Sequence, residues 1–203
     1  MKVILVDYGA GNLRSVRKAL ESVDADVIQT DDPEKVLEGD KVVLPGVGAF
    51  RDGMTLLRKR NLVSAINQVV ERKMPLLGIC LGMQLFFTRS SEMGDSLGLN
   101  YIQGEVNQFS MPGLKVPHTG WNQLGISENS SLFRNVATDS YVYFNHGFYC
   151  VPVDAKVTAA STEYGTIFPA AVQSGSIYGV QFHPEKSQDT GLTILKNFVE
   201  DCQ

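Results

Sequence analysis

Several features that define protein classes are missing from this 203-residue sequence. Only three cysteines are present, Cys80, Cys150 and Cys202, and their spacing fits neither a disulfide framework nor a metal-binding motif. No apolar run approaches the length of a membrane span, and the first run is interrupted at Asp7, too early for a signal peptide. These absences favour a reducing compartment, and we expect the protein in the cytoplasm.

An excess of positive charge is also absent. The formal net charge is −4, the isoelectric point is about 5.4, and the basic residues are scattered along the chain. A nucleic-acid-binding surface needs clustered lysine and arginine, so we expect no nucleic-acid partner.

The sequence lacks a complete nucleotide-binding fingerprint as well. Gly9 and Gly11 follow the first apolar run at a strand-to-helix turn, where backbone N–H groups could hold a phosphate. The third glycine of the dinucleotide motif is missing, however. We therefore predict no bound cofactor and no metal ion.

What is present in the first eighty residues is an alternation of short apolar runs and amphipathic segments. The runs VILVD, ADVIQT, KVVLP and PLLGI predict four buried strands. Helices are predicted between them, after Asn12, after Asp31 or Asp32, and over residues 51–72 with a break near Asn61. This alternation is typical of a parallel sheet covered by helices on both faces.

The second half is richer in short alternating strands than in helices. YIQGEVNQF, KVPHTGWNQL, SYVYFNHGFYCV, AKVTAAST, IFPAAVQ and SIYGVQF predict strands that are mostly antiparallel, and a helix is predicted over residues 189–201. We therefore expect an α/β fold with a mixed, mainly parallel sheet covered by helices, additional antiparallel strands in the C-terminal half, and a single domain over residues 1–203.

The segment GICLG places Cys80 between Gly78 and Gly82, at the junction of a predicted strand and a predicted helix. This spacing is the thiol counterpart of the nucleophile elbow, a tight turn that exposes a reactive atom above the sheet. The partial positive charge of a helix N-terminus would also favour a thiolate. A lone cysteine in an apolar run is more often a small buried hydrophobe, so the elbow needs support from elsewhere in the chain.

That support comes from QFHPE, which follows the last predicted strand. Residues i and i+2 of an extended chain lie on the same side, so Glu185 can orient His183, while Pro184 ends the strand. A cysteine, a histidine and an acid that can meet in space are typical of thiol acyl transfer. We predict Cys80 as the nucleophile, His183 as its base and Glu185 as the orienting carboxylate.

Acyl transfer also needs N–H donors for the oxyanion of the tetrahedral intermediate. Leu81, the residue after the nucleophile, can supply one donor. The segment PGVGAF follows the third strand, and its two glycines leave the backbone unusually free. On local grounds an ordinary strand-to-helix turn explains this segment equally well.

The motifs GICLGMQ and QFHPE resemble those of the class I glutamine amidotransferase family, and DYGAGNLRSV, PGVGAF, GWNQL and YFNHGFY extend the resemblance over nearly the whole chain. The resemblance implies a flavodoxin-like fold and hydrolysis of glutamine to glutamate and ammonia through a thioester on Cys80. The segments that face the partner in this family are similar to those of subunits that pass ammonia to a (β/α)₈-barrel cyclase, with which we expect a heterodimer.

The resemblance also implies roles for individual residues. The second oxyanion donor is the N–H of Val47, between Gly46 and Gly48. The implied substrate-binding residues are Gln84, Gly48, Tyr143 and His146, and the implied partner-interface residues are Asn12, Trp121, Gln123, Tyr143 and Lys186. From the residues alone, Gln84 could equally be a solvated helix residue, Trp121 and Tyr143 core aromatics, and His118 and His146 structural histidines.

Three alternatives remain open. A glutaminase subunit of another amidotransferase would keep the triad but differ in the segments that face the partner. A thiol peptidase would need a histidine close after the nucleophile or a peptide groove, and neither can be read from the sequence. A scaffold without activity would not need an intact triad.

Overall fold

The protein is described here by a computed structural model that covers residues 1–110, 112–127 and 130–202. The elements of the N-terminal half are β1 (Lys2–Val6), α1 (Leu13–Glu21), β2 (Asp26–Thr30), α2 (Pro33–Val36), β3 (Lys41–Gly46), α3 (Phe50–Lys59), α4 (Leu62–Glu71), β4 (Leu76–Cys80), α5 (Leu81–Leu85) and β5 (Phe87–Ser90). The C-terminal half contains β6 (Ser96–Leu97), β7 (Ile102–Gln108), β8 (His118–Gln123), β9 (Gly125–Ile126), β10 (Tyr141–His146), β11 (Phe148–Pro152), β12 (Thr158–Tyr164), β13 (Thr166–Ser174), β14 (Ile177–Val180) and α6 (Gln188–Glu200). Short 3-10 helices occupy Ser131–Phe133, Ala155–Val157 and Pro184–Lys186.

The central sheet has eight strands in the order β2-β1-β3-β4-β14-β13-β12-β9. The strands from β2 to β14 in this order are parallel, and β13, β12 and β9 continue the sheet antiparallel. The last strand, β14, therefore returns to the middle of the sheet and pairs with β4, with Val180 opposite Ile79. Because the carboxyl ends of parallel strands lie at one edge, this pairing brings the chain after β14 to the elbow after β4.

Helices cover both faces of the parallel region. Alternate residues of β1 enter different hydrophobic clusters: Val3 and Leu5 pack with buried residues of α1 and α6, whereas Ile4 and Val6 pack with buried residues of α3, α4 and α5. Burial on both faces explains why these strands read as continuous apolar runs. The predicted α/β class with a mainly parallel, helix-covered sheet is thus confirmed.

The described residues form two smaller sheets, a two-stranded β8–β10 sheet and a four-stranded sheet in the order β11-β7-β5-β6. In the β8–β10 sheet, Trp121 pairs with Tyr143, while Val142 and Phe144 are fully buried. The backbone of Tyr143 accepts a 2.9 Å hydrogen bond from the N–H of His183. The β8–β10 sheet is thereby attached to the segment that carries the predicted base.

Several local predictions are confirmed. The helical segment over residues 51–72 breaks at Asn61, whose φ of 56° is left-handed. Asp32 caps α2 by accepting a 3.0 Å hydrogen bond from the N–H of Glu34. Asn12 occupies the N-cap position of α1, but its side chain makes no capping hydrogen bond.

Other segments differ from the sequence pattern. The helix after Cys80 ends at Leu85 and β5 follows, because the carbonyl groups of Leu85 and Phe86 accept hydrogen bonds from the N–H groups of Leu99 and Tyr101. The segment SYVYFNHGFYCV divides at Gly147 into β10 and β11, which belong to different sheets. No helix within the described part of the chain is long and apolar enough to cross a membrane.

Candidate active site

Cys80 lies at a tight turn between β4 and α5. Its backbone has φ 53° and ψ −106°, a conformation that costs a residue other than glycine about 1–3 kcal/mol. The flanking glycines are enclosed: a Cβ on Gly78 would lie 2.6 Å from the nitrogen of Met83, and one on Gly82 would lie 1.8 Å from the carbonyl oxygen of Leu44. Close packing of backbone on both sides therefore holds the cysteine in the elbow that GICLG predicts.

His183 and Glu185 meet Cys80 at this turn. The Nδ1 atom of His183 lies 3.0 Å from Oε1 of Glu185, and the side chains are 4% and 1% exposed. Burial favours the neutral imidazole, but the hydrogen bonds and charges of Cys80 and Glu185 outweigh it and raise the pKa of His183 to about 10. The three predicted residues thus form one buried cluster in which His183 is protonated at neutral pH.

The PGVG segment lies alongside the elbow because Gly46 pairs with Cys80 in the β3–β4 register. A Cβ on Gly46 would lie 2.2 Å from Oη of Tyr8, whereas a Cβ on Gly48 would meet nothing within 4 Å. The positive φ of this segment, 105°, belongs to Gly48. Gly46 is therefore required because it is closely packed, and the residue of this segment with the unusual backbone angle is Gly48.

A cavity of about 230 Å³ opens beside the thiol. This volume is below the range of cavities that hold drug-sized ligands and suits a small metabolite. The lining residues are Val47, Gly48, Cys80, Leu81, Gln84, Glu92, Pro117, Asn145, His146, Gly147 and Phe148. Both residues predicted to supply oxyanion donors, Val47 and Leu81, therefore face the same space as the nucleophile.

The predicted substrate residues separate into two groups. Gly48, Gln84 and His146 line the cavity, but Tyr143 is not among the lining residues. The ring of Tyr143 instead contacts Trp121 edge-to-face, with centroids 6.1 Å apart, and Nζ of Lys186 lies 5.5 Å from its centroid. Tyr143 therefore lies with the residues predicted for the partner interface.

The remaining interface candidates lie on or near the same surface. Gln123 is two residues beyond Trp121 on β8, so both side chains project from one face of the β8–β10 sheet. Asn12 is exposed at the start of α1, which packs against the 3-10 helix that contains Lys186. Trp121 itself is 46% exposed, which excludes the alternative that it is a core aromatic.

His118 and His146 form a buried pair. Nδ1 of His118 lies 3.1 Å from Nε2 of His146, and Nδ1 of His146 lies 2.7 Å from the carbonyl oxygen of Phe148. Burial lowers the pKa of His118 to about 4 and that of His146 to about 3, so both rings are neutral. A carbonyl oxygen only accepts hydrogen bonds, so the ring proton of His146 is on Nδ1. The Nε2 atom of His146 therefore accepts a hydrogen bond from Nδ1–H of His118.

Two buried residues near the thiol were not predicted from the sequence pattern. Gln181 is fully buried, and its Nε2 donates to Sγ of Cys80 at 3.6 Å. Tyr8 is also fully buried, and its Oη has no hydrogen-bond partner among the described residues. Burial, with a smaller contribution from the charge of Cys80, raises the pKa of Tyr8. The sequence could have indicated Gln181, because it is a polar residue directly after an apolar strand and two residues before His183.

Comparisons with known proteins agree with this geometry. Residues 4–202 match the family model described as glutamine amidotransferase class-I. The chain is 48% identical over 198 residues to the imidazole glycerol phosphate synthase subunit HisH of Moorella thermoacetica, covering 98% of this chain and 94% of that protein. It is 51% identical over 198 residues to the subunit of the same name from Carboxydothermus hydrogenoformans, covering 97% of this chain and 98% of that protein.

A solved structure supports the same fold. PurLQS from Thermotoga maritima superposes with a TM-score of 0.76 and 21% sequence identity, over 98% of this chain and 97% of the matched chain. At this identity the likeness shows the fold alone.

Proposed function

The chain belongs to the class I glutamine amidotransferase family, and we propose that it is the glutamine-hydrolysing subunit of imidazole glycerol phosphate synthase in histidine biosynthesis. The observation that carries the proposal is the buried Cys80–His183–Glu185 cluster on an elbow beside a small cavity. The identity to the HisH subunits over nearly the whole chain selects this member of the family.

The first half of the reaction uses each member of the cluster. The thiolate of Cys80 attacks the side-chain carboxamide carbon of glutamine, and the N–H groups of Leu81 and Val47 hold the oxyanion. The protonated ring of His183, oriented by Glu185, gives its proton to the departing ammonia. A γ-glutamyl thioester remains on Cys80.

The second half releases glutamate. His183, now neutral, takes a proton from water as the water attacks the thioester carbonyl, and Cys80 leaves as a thiolate. The same N–H groups hold the second oxyanion. Gly48, Gln84 and His146 border the space that the substrate occupies, which supports their role in substrate binding.

Ammonia then passes to a partner, which we propose is a (β/α)₈-barrel cyclase in a heterodimer. The cyclase adds the ammonia to a ribonucleotide and forms imidazole glycerol phosphate and an aminoimidazole carboxamide ribotide. The surface around Trp121, Tyr143 and Lys186, with Asn12 and Gln123, supports this docking because the exposed ring of Trp121 lies beside the half-buried ring of Tyr143, and aromatic side chains are enriched at interfaces.

We also propose that residues 1–203 act as one domain in the cytoplasm. The three cysteines are unpaired and buried, which suits a reducing compartment. Strands β1 to β4 and the last strand, β14, share one sheet, so the nucleophile and its base depend on the same folded unit.

The test replaces the nucleophile. Cys80→Ala is expected to abolish glutamine hydrolysis while the circular dichroism spectrum, the one-to-one complex with the cyclase and synthesis from added ammonium persist. Comparable release of glutamate by Cys80→Ala would overturn the nucleophile assignment. Failure to form a complex with the cyclase, with another synthase stimulating the glutaminase instead, would move the protein to a different amidotransferase.

A further inference from the structure

We infer that Gln181 is a positioning residue for the thiolate, at the end of a directed hydrogen-bond chain that starts at the carbonyl of Phe148 and passes through Gln84. This inference rests on the proposed function, since it concerns the same thiol. It adds a group besides His183 that acts on Cys80, through an amide that cannot titrate.

The direction of the chain is set at its first member. The carbonyl oxygen of Phe148 receives Nδ1–H of His146 at 2.7 Å and Nε2–H of Gln84 at 3.1 Å. A backbone carbonyl only accepts hydrogen bonds, so this contact decides which end of the Gln84 amide is nitrogen.

The orientation of Gln84 in turn fixes the orientation of the Gln181 amide. The Nε2 atom of Gln84 also lies 3.1 Å from Oε1 of Gln181, so its second hydrogen is used there. With its oxygen engaged, Gln181 presents Nε2–H to Sγ of Cys80 at 3.6 Å. Reversing either amide would place two oxygens or two N–H groups against each other.

The hydrogen-bond chain is also buried from water. Gln181 is 0% and Gln84 5% exposed, and the contacts lie where the low dielectric strengthens a hydrogen bond to a charged acceptor. Both hydrogens on Nε2 of Gln84 are committed, so only its carbonyl oxygen remains to contact a substrate in the cavity. Gln84 would therefore accept, and not donate, a hydrogen bond from glutamine.

A fixed donor complements the mobile proton of His183. His183 loses its proton to ammonia in the first half-reaction and takes one from water in the second. The Gln181 amide keeps its N–H throughout, so it stabilises the sulfur both as attacking thiolate and as leaving thiolate. No bond to Gln181 forms or breaks.

The experiment measures the thiol directly. Gln181→Met keeps much of the side-chain volume and removes the donor, and Gln181→Glu keeps an acceptor for Gln84 but places an oxygen near Sγ. Each is alkylated with iodoacetamide from pH 5 to 10, with the modified site read by mass spectrometry. We expect the Cys80 alkylation rate at pH 7 to fall at least about tenfold, the range for a hydrogen bond to a charged group, and the pH profile to move to higher pH.

Turnover in the complex with the cyclase gives a second readout. In Gln181→Glu, which keeps the acceptor for Gln84, we expect kcat for glutamine to fall by at least about tenfold, while KM changes by less than about threefold, because the lost donor acts on the sulfur and not on the bound substrate. Gln173→Met is the matched control: this glutamine lies on the neighbouring strand β13 and accepts a hydrogen bond from Ser130, away from the thiol.

The outcomes separate the possible roles. A folded Gln181→Met or Gln181→Glu with the parent's alkylation profile, even at a lowered melting temperature, would overturn the inference and leave Gln181 a packing residue. If Cys80→Ala loses hydrolysis while the Gln181 variants behave as the parent, the proposed function stands and only the role of the Phe148–Gln84–Gln181 hydrogen-bond chain is rejected. If Cys80→Ala keeps hydrolysis, the proposed function itself has failed.

Discussion

Two glycine-flanked turns face the same cavity, and they differ in how tightly they are packed. At the elbow, added Cβ atoms on Gly78 and Gly82 would lie 2.6 Å and 1.8 Å from backbone atoms, and Cys80 is 6% exposed. At the PGVG segment, a Cβ on Gly48 would meet nothing within 4 Å, and Val47 is 46% exposed. One turn is enclosed by the fold and the other is open to solvent on one side.

This difference indicates where activity can be regulated. A closely packed elbow holds the nucleophile in one position, whereas the open segment can rotate the peptide between Gly46 and Val47. With its N–H inward, this peptide donates to the oxyanion; with its C=O inward, it repels the oxyanion. We therefore expect that the isolated protein is nearly inactive and that the partner acts on the PGVG segment.

The largest expected effect is on the enclosed turn. Gly82→Ala would place a Cβ 1.8 Å from the carbonyl oxygen of Leu44, a backbone atom of the neighbouring strand β3 that cannot move aside as a flexible side chain could. We expect little soluble protein, or a loss of about 3 kcal/mol or more in the free energy of unfolding. Urea denaturation measures this, with Gly48→Ala as the control. Equal stabilities for the two variants would contradict the contrast between the turns.

A second prediction concerns the acid on the fixed side of the site. Glu185→Gln removes one of the interactions that raise the pKa of His183, so the ring should lose its proton at lower pH than about 10. Because the pKa of His183 is higher in the folded protein than its unfolded value of 6.5, protonation of this ring stabilises the fold. The stabilisation is complete below pH 6.5 and is lost progressively as the pH rises toward 10. The stability difference between parent and variant should therefore shrink over this range.

Histidine NMR titration and denaturation at several pH values measure these changes. Glutamine hydrolysis should fall, but by no more than on removing His183, which carries the proton. A Glu185→Gln enzyme as active as the parent would refute the orienting role.

The third prediction addresses the open turn through the partner. Adding the cyclase and its ribonucleotide ligand should raise glutamine hydrolysis by roughly 10²- to 10³-fold, the effect of gaining one oxyanion donor, and mostly in kcat. Steady-state assays of glutamate release with and without the partner give the ratio. Full turnover by the isolated subunit would exclude regulation at the Val47 peptide.

A smaller change tests the same turn directly. Gly48→Ala adds a methyl group in open space, but at φ 105° it introduces strain of about 1–3 kcal/mol. We expect modest destabilisation and an altered ratio of stimulated to unstimulated turnover. An unchanged ratio, with the expected loss of stability, would place the regulated peptide elsewhere.

The smallest effect is expected at Tyr8, which lies beneath Gly46. Its Oη is buried without a hydrogen-bond partner among the described residues, so Tyr8→Phe removes a group that contributes no bond. The free energy of unfolding should change by less than about 1 kcal/mol. A double variant tests the contact between Tyr8 and Gly46. Gly46→Ala should lower the free energy of unfolding less in the Tyr8→Phe background, because Tyr8 Oη is the atom that the new Cβ would meet at 2.2 Å. If Gly46→Ala is equally destabilising in both backgrounds, the steric conflict is instead with Leu81, whose Cβ would lie 2.9 Å from the new Cβ.

Local patterns predicted the parts of the site that local chemistry controls. Gly78, Cys80 and Gly82 identify the elbow because its turn leaves no room for other side chains, and Pro184 separates His183 from Glu185 at the end of a strand. The helix break at Asn61 was readable for the same kind of reason. Spacing alone does not show that Gly46 is closely packed and that Gly48 has the positive φ.

Periodicity and backbone sterics act over a few residues, so the α/β alternation, the nucleophile and its base and acid could be predicted from short stretches of the chain. The surroundings of the thiol could not, because they depend on how distant strands pair. Gln84 and Gln181 are 97 residues apart and meet because β14 returns beside β4. His118 and His146 meet because β8 pairs with β10. Hydrogen bonds of this kind depend on strand order, which no short stretch of the chain encodes.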